Sequence, residues 1–182
     1  MRTYILILPL LVLLYACHPS QSDDPTIDGI LVGYDSIYTT ADIQWHGQYY
    51  PLLDRQVFSI DLFGQGLSLD SANYIVGTGY NLYLSDVFLP LTDTCLQAGV
   101  YHMATTSEAY TFLPYKDFDG NVTGSYLLEI QNNNINRIIG FTSGEMRVTY
   151  LSEKDIRLDM MLYTADSIRY RAIYQGPAFA ND

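Results

Sequence analysis

The residues best suited to ligand chemistry in this chain are aromatic. Trp45, Tyr49 and Tyr50 lie close together in the segment IQWHGQYYP. Flat aromatic rings stack on sugar rings, so an exposed cluster of this kind favours a glycan-binding patch. The alternative is that Trp45 is a core residue and the tyrosines are ordinary strand residues, which is the commoner arrangement when a domain has a single tryptophan.

Oxygen ligands are also close together, at Asp117, Asp119 and Asn121 in the segment DFDGN. Calcium accepts carboxylate and amide oxygens in a tight loop, but this segment lacks the spacing and the distal glutamate of an EF-hand. The same residues suit a turn, because Asp and Asn cap local N–H groups and Gly adopts positive φ. We therefore predict a turn, with a weak calcium site as the alternative.

Motifs for catalysis and cofactor binding give no support for an enzyme. The chain has no G-x-S-x-G, P-loop or dinucleotide-binding glycine pattern. His46, His102 and Cys95 are far apart and follow neither C-x-x-C nor H-x-x-x-H spacing, so a zinc site would need a tertiary coincidence. We expect a non-catalytic protein whose only attached group is a covalent lipid.

Charge and composition limit the class of partner. The chain has 20 acidic and 9 basic residues, a formal charge of −11, which argues against nucleic acid because phosphate binding needs a basic face. Its 17 tyrosines favour strands with one polar and one apolar side.

The N-terminus has the organisation of an export signal. Arg2 precedes an apolar segment from Tyr4 to Ala16, which is too short to span a bilayer comfortably. The polar segment that follows has little to bury and predicts a flexible tether. We therefore divide the chain into a signal peptide (residues 1–16), a tether (17–27) and one β domain (28–182).

The end of the apolar segment predicts a lipid anchor. Leu14-Tyr15-Ala16-Cys17 resembles the lipobox of bacterial lipoproteins, which implies a diacylglyceryl group on Cys17 and attachment to a membrane. Ser22-Asp23-Asp24 resembles the acidic export tag of Bacteroidota lipoproteins, which implies the outer membrane and its cell-surface face, with the periplasmic face as the alternative. If Cys17 is acylated, an intramolecular disulfide is impossible, because the chain has two cysteines.

The remaining sequence predicts an all-β fold. Short alternating segments bounded by Gly, Asn and Asp are typical of an antiparallel β-sandwich, with a small antiparallel barrel as the alternative. The predicted strands are Asp42–Tyr49, Gln56–Phe63, Asn81–Phe88, Gly99–Met103, Ser125–Gln131, Arg137–Phe141, Glu145–Tyr150, Asp155–Tyr163 and Ser167–Gln175. We interpret residues 109–124, AYTFLPYKDFDGNVTG, as a surface excursion.

The last hairpin also permits a prediction of register. Matching the apolar faces of its two strands with a three-residue loop pairs Tyr163 with Ser167 and places Leu162 opposite Ile168. The same register places Asp159 opposite Arg171 as an outer ion pair.

Several segments together resemble a group of small, uncharacterised β-rich lipoproteins of gut Bacteroidota. The matching positions are Ala98-Gly99-Val100-Tyr101, Gly144 with Val148, and Tyr174-Gln175-Gly176. The resemblance implies a β-sandwich-like surface domain and no catalytic residues.

Two functions fit these observations. The first is a membrane-anchored surface lipoprotein whose β domain binds a ligand, specifically a glycan. The alternative is a structural or accessory subunit that docks on a larger outer-membrane or pilus assembly by strand pairing. Exposed aromatic rings would favour the first function, and an exposed edge strand or apolar patch would favour the second.

Overall fold

A computed structural model describes residues 33–178 of the chain. The predicted signal peptide and tether, including Cys17, lie outside the described residues. Within 33–178 every regular element is a β-strand, so the all-β class is confirmed. No helix of this described part is long and apolar enough to cross a membrane.

Fourteen strands follow one another along residues 33–178. Their bounds are β1 Gly33–Gly47, β2 Arg55–Gly64, β3 Leu67–Leu69, β4 Ile75–Gly77, β5 Gly79–Pro90, β6 Gly99–Met103, β7 Thr111–Phe112, β8 Lys116–Phe118, β9 Asn121–Thr123, β10 Ser125–Gln131, β11 Asn134–Gly140, β12 Ser143–Tyr150, β13 Asp155–Tyr163 and β14 Arg169–Pro177. The strands predicted at Gly99–Met103, Ser125–Gln131 and Asp155–Tyr163 have the observed bounds.

Eight of these strands close into a barrel. The ring runs β5-β2-β1-β14-β13-β12-β6-β7 and returns to β5 through the pair of Phe88 with Thr111. The barrel is the alternative form of the predicted fold, and its neighbours are antiparallel except for β1 with β14 and β6 with β7. The β1–β14 pair joins the first and last described strands, and the strands between them supply the long connection that a parallel pair requires.

Two further strands, β10 and β11, extend the sheet at the edge of β5 that also pairs with β7. The first half of β5 pairs with β10, which in turn pairs with β11, whereas Phe88 in its second half pairs with β7. Two small hairpins, β3–β4 and β8–β9, complete the described structure.

Side chains fill the barrel interior. Along β13 the residues alternate strictly between buried and half-buried positions, and the buried ones are Ile156, Leu158, Met160 and Leu162. Each such side chain removed from water contributes about 1.5–3 kcal/mol, so these layers stabilise the barrel strongly. A cavity of about 40 Å³ between β1, β5, β10, β11 and β14, lined in part by Ser36, Glu129 and Arg137, has room for only a few water molecules.

The predicted register of the last hairpin is wrong by two residues. Tyr163 pairs with Arg169 and Leu162 with Tyr170, so the apolar faces match as predicted but through a longer loop. The cause is the turn, in which Thr164 N–H donates to the Ile168 carbonyl and Ser167 adopts a φ of 61°. Ile168 therefore lies in the loop and is exposed.

The interpretation of residues 109–124 as a surface excursion is wrong for its first part. Thr111–Phe112 forms β7, and the Phe112 side chain is fully buried in the core. The strand has only two residues, too few to show alternation in a sequence. Only the β8–β9 hairpin of this segment lies on the surface, with Phe118 exposed.

Candidate binding face

A row of polar and aromatic side chains crosses the outside of the barrel. Asp42 on β1 pairs with Asp61 on β2, Asp61 pairs with Tyr83 on β5, and Tyr83 pairs with Tyr126 on β10. Paired residues in a sheet point to the same face. All four side chains are half-buried, and we call them the Asp–Tyr row.

Alternation along the strands places this row on the outer face. Ile60 and Leu62, the two neighbours of Asp61, are fully buried in the barrel core, as are Leu82 and Leu84 on either side of Tyr83. Successive side chains of a strand point to opposite faces, so Asp61 and Tyr83 must point away from that core.

Asp61 lies in an environment that favours its neutral form. The pKa of the Asp61 carboxyl is raised to about 6, chiefly by burial, with a smaller contribution from the charge of Asp42 and an opposing hydrogen bond from the Asn81 amide. Asn81 is itself buried and also donates to the Leu62 carbonyl over 3.1 Å. The carboxyl is therefore held in a fixed orientation beside Asp42.

The two tyrosines of the row are in contact. The ring centroids of Tyr83 and Tyr126 are 5.3 Å apart, and burial raises the pKa of both hydroxyls, that of Tyr126 to about 12. Both hydroxyls therefore remain protonated at neutral pH and can donate to a ligand oxygen.

Ser59 joins the row to a second group of aromatic residues. Its hydroxyl shares a hydrogen bond of 2.9 Å with His46 Nε2, and it also bonds the Tyr83 hydroxyl. Ser59 is buried and His46 is exposed, so the serine orients a histidine and a tyrosine from beneath the surface.

Tyr49 and Tyr50 are the other members of this second group. Their rings meet edge to face with centroids 5.0 Å apart, and Tyr49 also contacts His46 at 6.2 Å. Tyr49 is 64% exposed, whereas Tyr50 is half-buried and donates a 2.7 Å hydrogen bond to Asp86 Oδ1. Burial and the Asp86 carboxylate raise the pKa of Tyr50. We call His46, Tyr49 and Tyr50 the aromatic platform.

Trp45 is exposed but lies on the other face of β1. It pairs with Phe58, a fully buried residue, whereas its neighbour His46 bonds Ser59 on the outer face. The indole Nε1 donates to Gln56 Oε1 over 3.0 Å, and 51% of the residue is exposed. Trp45 is therefore not a core tryptophan, and of the three predicted residues the structure brings only Tyr49 and Tyr50 together.

The DFDGN segment forms the turn between β8 and β9. Asp119 and Gly120 have φ values of 52° and 85°, and the Gly120 N–H donates to Asp117 Oδ1 over 2.8 Å. One carboxylate oxygen of the alternative calcium site is therefore used by the turn. Within residues 33–178 no group of three His, Cys, Asp or Glu side chains is placed to hold a metal.

Sequence reasoning did not identify the Asp–Tyr row as a site. Asp61 carries a detectable signal, because it is a lone carboxylate inside the apolar segment FSIDLF. Asp42, Tyr83 and Tyr126 come together with it only through the register of four strands, which is not a local property of the sequence.

Comparison of the chain with protein-family models, with curated proteins and with solved structures finds no match.

Proposed function

We propose that this chain is a surface lipoprotein, anchored through a lipid on Cys17 in the outer membrane, whose β barrel binds glycans on its outer face. The observation that carries the glycan proposal is the aromatic platform, an exposed tyrosine beside a second tyrosine that Asp86 holds in place. An exposed ring held at a fixed angle can stack on a sugar at low entropic cost.

The neighbouring Asp–Tyr row supplies the polar part of such a site. Tyrosine hydroxyls donate hydrogen bonds and carboxylates accept them, and sugar hydroxyls can pair with both. The barrel interior is filled by side chains. The lining of the small cavity described above includes no residue of the platform or of the Asp–Tyr row. A glycan would therefore lie along the surface of the sheet.

A glycan array probed with the full chain tests binding. The protein should be solubilised in a polyoxyethylene detergent, because sugar-based detergents would compete. We expect Tyr49→Ala to weaken binding at least tenfold, since it removes the exposed ring. Tyr74→Ala is the matched control, because Tyr74 is equally exposed but lies in the turn between β3 and β4. Failure of a well-folded sample to bind any glycan would refute the proposal.

The anchor is tested separately by Cys17→Ala. We expect the variant to leave the membrane fraction, because the lipid is its only proposed attachment. Membrane retention of the variant with a cleaved leader would contradict the anchor.

A second function, docking on a larger outer-membrane or pilus assembly, is favoured by β11. Among the strands of residues 33–178, β11 pairs with β10 alone, so it presents a sheet edge. Ile135 on this strand is 59% exposed, and Ile138 is exposed as well. Unpaired edges with apolar side chains are templates for strand addition.

Ile135→Lys tests docking, because a charge on an edge strand opposes pairing. If the chain docks through β11, native gels of detergent extracts should show a large complex that this variant loses. Ile168→Lys, which changes an exposed isoleucine in the β13–β14 loop, should retain the complex. A wild-type chain that migrates as a monomer would exclude docking.

A further inference from the structure

We infer that the outer face selects uncharged, extended oligosaccharides and rejects glycans that carry carboxylate or sulfate groups. The inference rests on the proposed function, because it names the class of glycan that the same face would take.

The length of the face indicates an extended ligand. His46 of the aromatic platform and Asp42 of the Asp–Tyr row are four residues apart on β1, which is about 13 Å along a strand. Both lie on the outer side, since His46 bonds Ser59 and Asp42 pairs with Asp61, two residues further along β2. A ligand that stacks on Tyr49 and bonds Asp42 must therefore span more than one sugar ring.

The carboxylates of the face retain acceptor capacity for sugar hydroxyls. Asp42 Oδ2 accepts one hydrogen bond, from Gln44 over 2.6 Å. Asp86 accepts from Tyr50 over 2.7 Å and from Ser85 over 3.0 Å, one bond on each oxygen. A carboxylate offers about four lone-pair sites, so each can accept further bonds from a ligand.

The same carboxylates would repel an anionic ligand. Besides the platform residue His46, the four strands that form the face, β1, β2, β5 and β10, contain no lysine and one arginine, Arg55, at the first position of β2. Arg55 Nη1 donates to the carbonyl of Asp54, at the far end of β2 from Asp61. Like charges placed together disfavour a partner, and both salt bridges among the described residues use Asp159, so neither Asp42 nor Asp86 is paired with a cation.

The other arginines of the barrel lie on other strands. Arg147, Arg157, Arg169 and Arg171 belong to β12, β13 and β14. Two of them bond Asp159, Arg157 over 2.7 Å and Arg171 over 3.2 Å. Arg169 and Arg171 lie opposite Gly33 and Asp35 at the start of β1, so they approach the glycan face only at the end of that strand away from Asp42 and His46.

The test is an array that carries neutral hexose and N-acetylhexosamine oligomers beside their sulfated and uronic-acid counterparts of the same linkage. We expect the detergent-solubilised full chain to bind neutral oligomers at least tenfold more tightly than their acidic counterparts. Asp42→Asn with Asp86→Asn should reduce this preference at least threefold, because the amides carry no charge. Asp166→Asn, an exposed change in the β13–β14 loop, should leave it unaltered.

A salt series provides a readout that needs no variant. Repulsion is screened by ions, so raising NaCl from about 50 mM to about 500 mM should strengthen wild-type binding of the acidic counterparts relative to the neutral ones. Equal or tighter binding of acidic glycans at low salt would overturn the inference and leave glycan binding in place. Absence of binding to both kinds would overturn the proposed function and the inference together.

Discussion

Asp42 and Asp61 lie directly opposite each other on β1 and β2, two carboxyl groups on one face of the sheet. Burial raises the pKa of Asp61 to about 6, with the charge of Asp42 adding to the effect and the Asn81 hydrogen bond opposing it. Asp61 thus holds its proton at a higher pH in the folded chain than in the unfolded chain.

The contribution of Asp61 to stability should therefore fall as the pH rises through the window between its two pKa values. Unfolded Asp61 titrates near 3.8 and folded Asp61 near 6, so the folded state binds more protons between about pH 4 and pH 6. Below this window the residue contributes no pH dependence, and above it the destabilisation is complete. Asp61→Asn removes the titration, because the amide carries no charge at any pH.

Between pH 4 and pH 7.5, the free energy of unfolding of Asp61→Asn should rise by roughly 1–3 kcal/mol relative to that of the wild type. Urea unfolding followed by circular dichroism at several pH values measures this difference. Asp166→Asn is the control, since that side chain is exposed in the β13–β14 loop. A difference between Asp61→Asn and wild type that does not change with pH would contradict the assignment.

Phe112 should contribute far more to stability than Phe118, which follows six residues later. Phe112 lies on β7 and is fully buried, whereas Phe118 on β8 is 61% exposed. Burial of a phenylalanine in a core predicts a loss of about 3–5 kcal/mol for Phe112→Ala. Phe118→Ala should cost less than about 1 kcal/mol. Thermal unfolding of both variants measures the contrast, and equal losses would argue that β7 does not close the barrel.

The sequence predicted the strands of this barrel better than their closure. Asp155–Tyr163 was predictable because alternation extends over a full strand between turn residues. A sandwich and a barrel share that alternation, and the feature that distinguishes them here is the pairing of Phe88 with Thr111 on a two-residue strand. The same holds for the candidate site. Tyr49 and Tyr50 were predictable because they are adjacent in sequence, whereas Asp61 meets Tyr83 only through strand register.

The ion pair between Asp159 and Arg171 was predicted from a register that proved wrong by two residues. Asp159 lies opposite Ile173 and reaches Arg171 diagonally, over 3.2 Å, while Arg157 bonds the other carboxylate oxygen over 2.7 Å. All three side chains remain between about a quarter and a half exposed, so solvent screens both pairs.

A double-mutant cycle should show a larger coupling for Asp159 with Arg157 than with Arg171. We expect up to about 1 kcal/mol for the first pair and a few tenths for the second, both reduced by salt. Urea unfolding of single and paired variants measures these coupling energies. The substitutions are Asp159→Asn, Arg157→Gln and Arg171→Gln. A stronger coupling to Arg171 would show that the diagonal contact is the dominant one.

Gly140 at the end of β11 is required by the ring of Tyr115. A Cβ atom at position 140 would overlap the Tyr115 ring near its attachment, where a side chain has little freedom to move. Tyr115 is fixed there, because its N–H donates to the Phe141 carbonyl over 2.8 Å. We expect Gly140→Ala to destabilise the protein by about 1–3 kcal/mol, the usual cost of overpacking.

Tyr115→Ala should rescue this variant, because it removes the ring that the new methyl group would meet. In the Tyr115→Ala background, Gly140→Ala should be neutral or slightly stabilising, since alanine restricts the unfolded chain more than glycine does. Urea unfolding of the two single variants and the double variant measures the coupling. If Gly140→Ala costs the same with and without the Tyr115 ring, the glycine is required by the backbone of β11 and not by this contact.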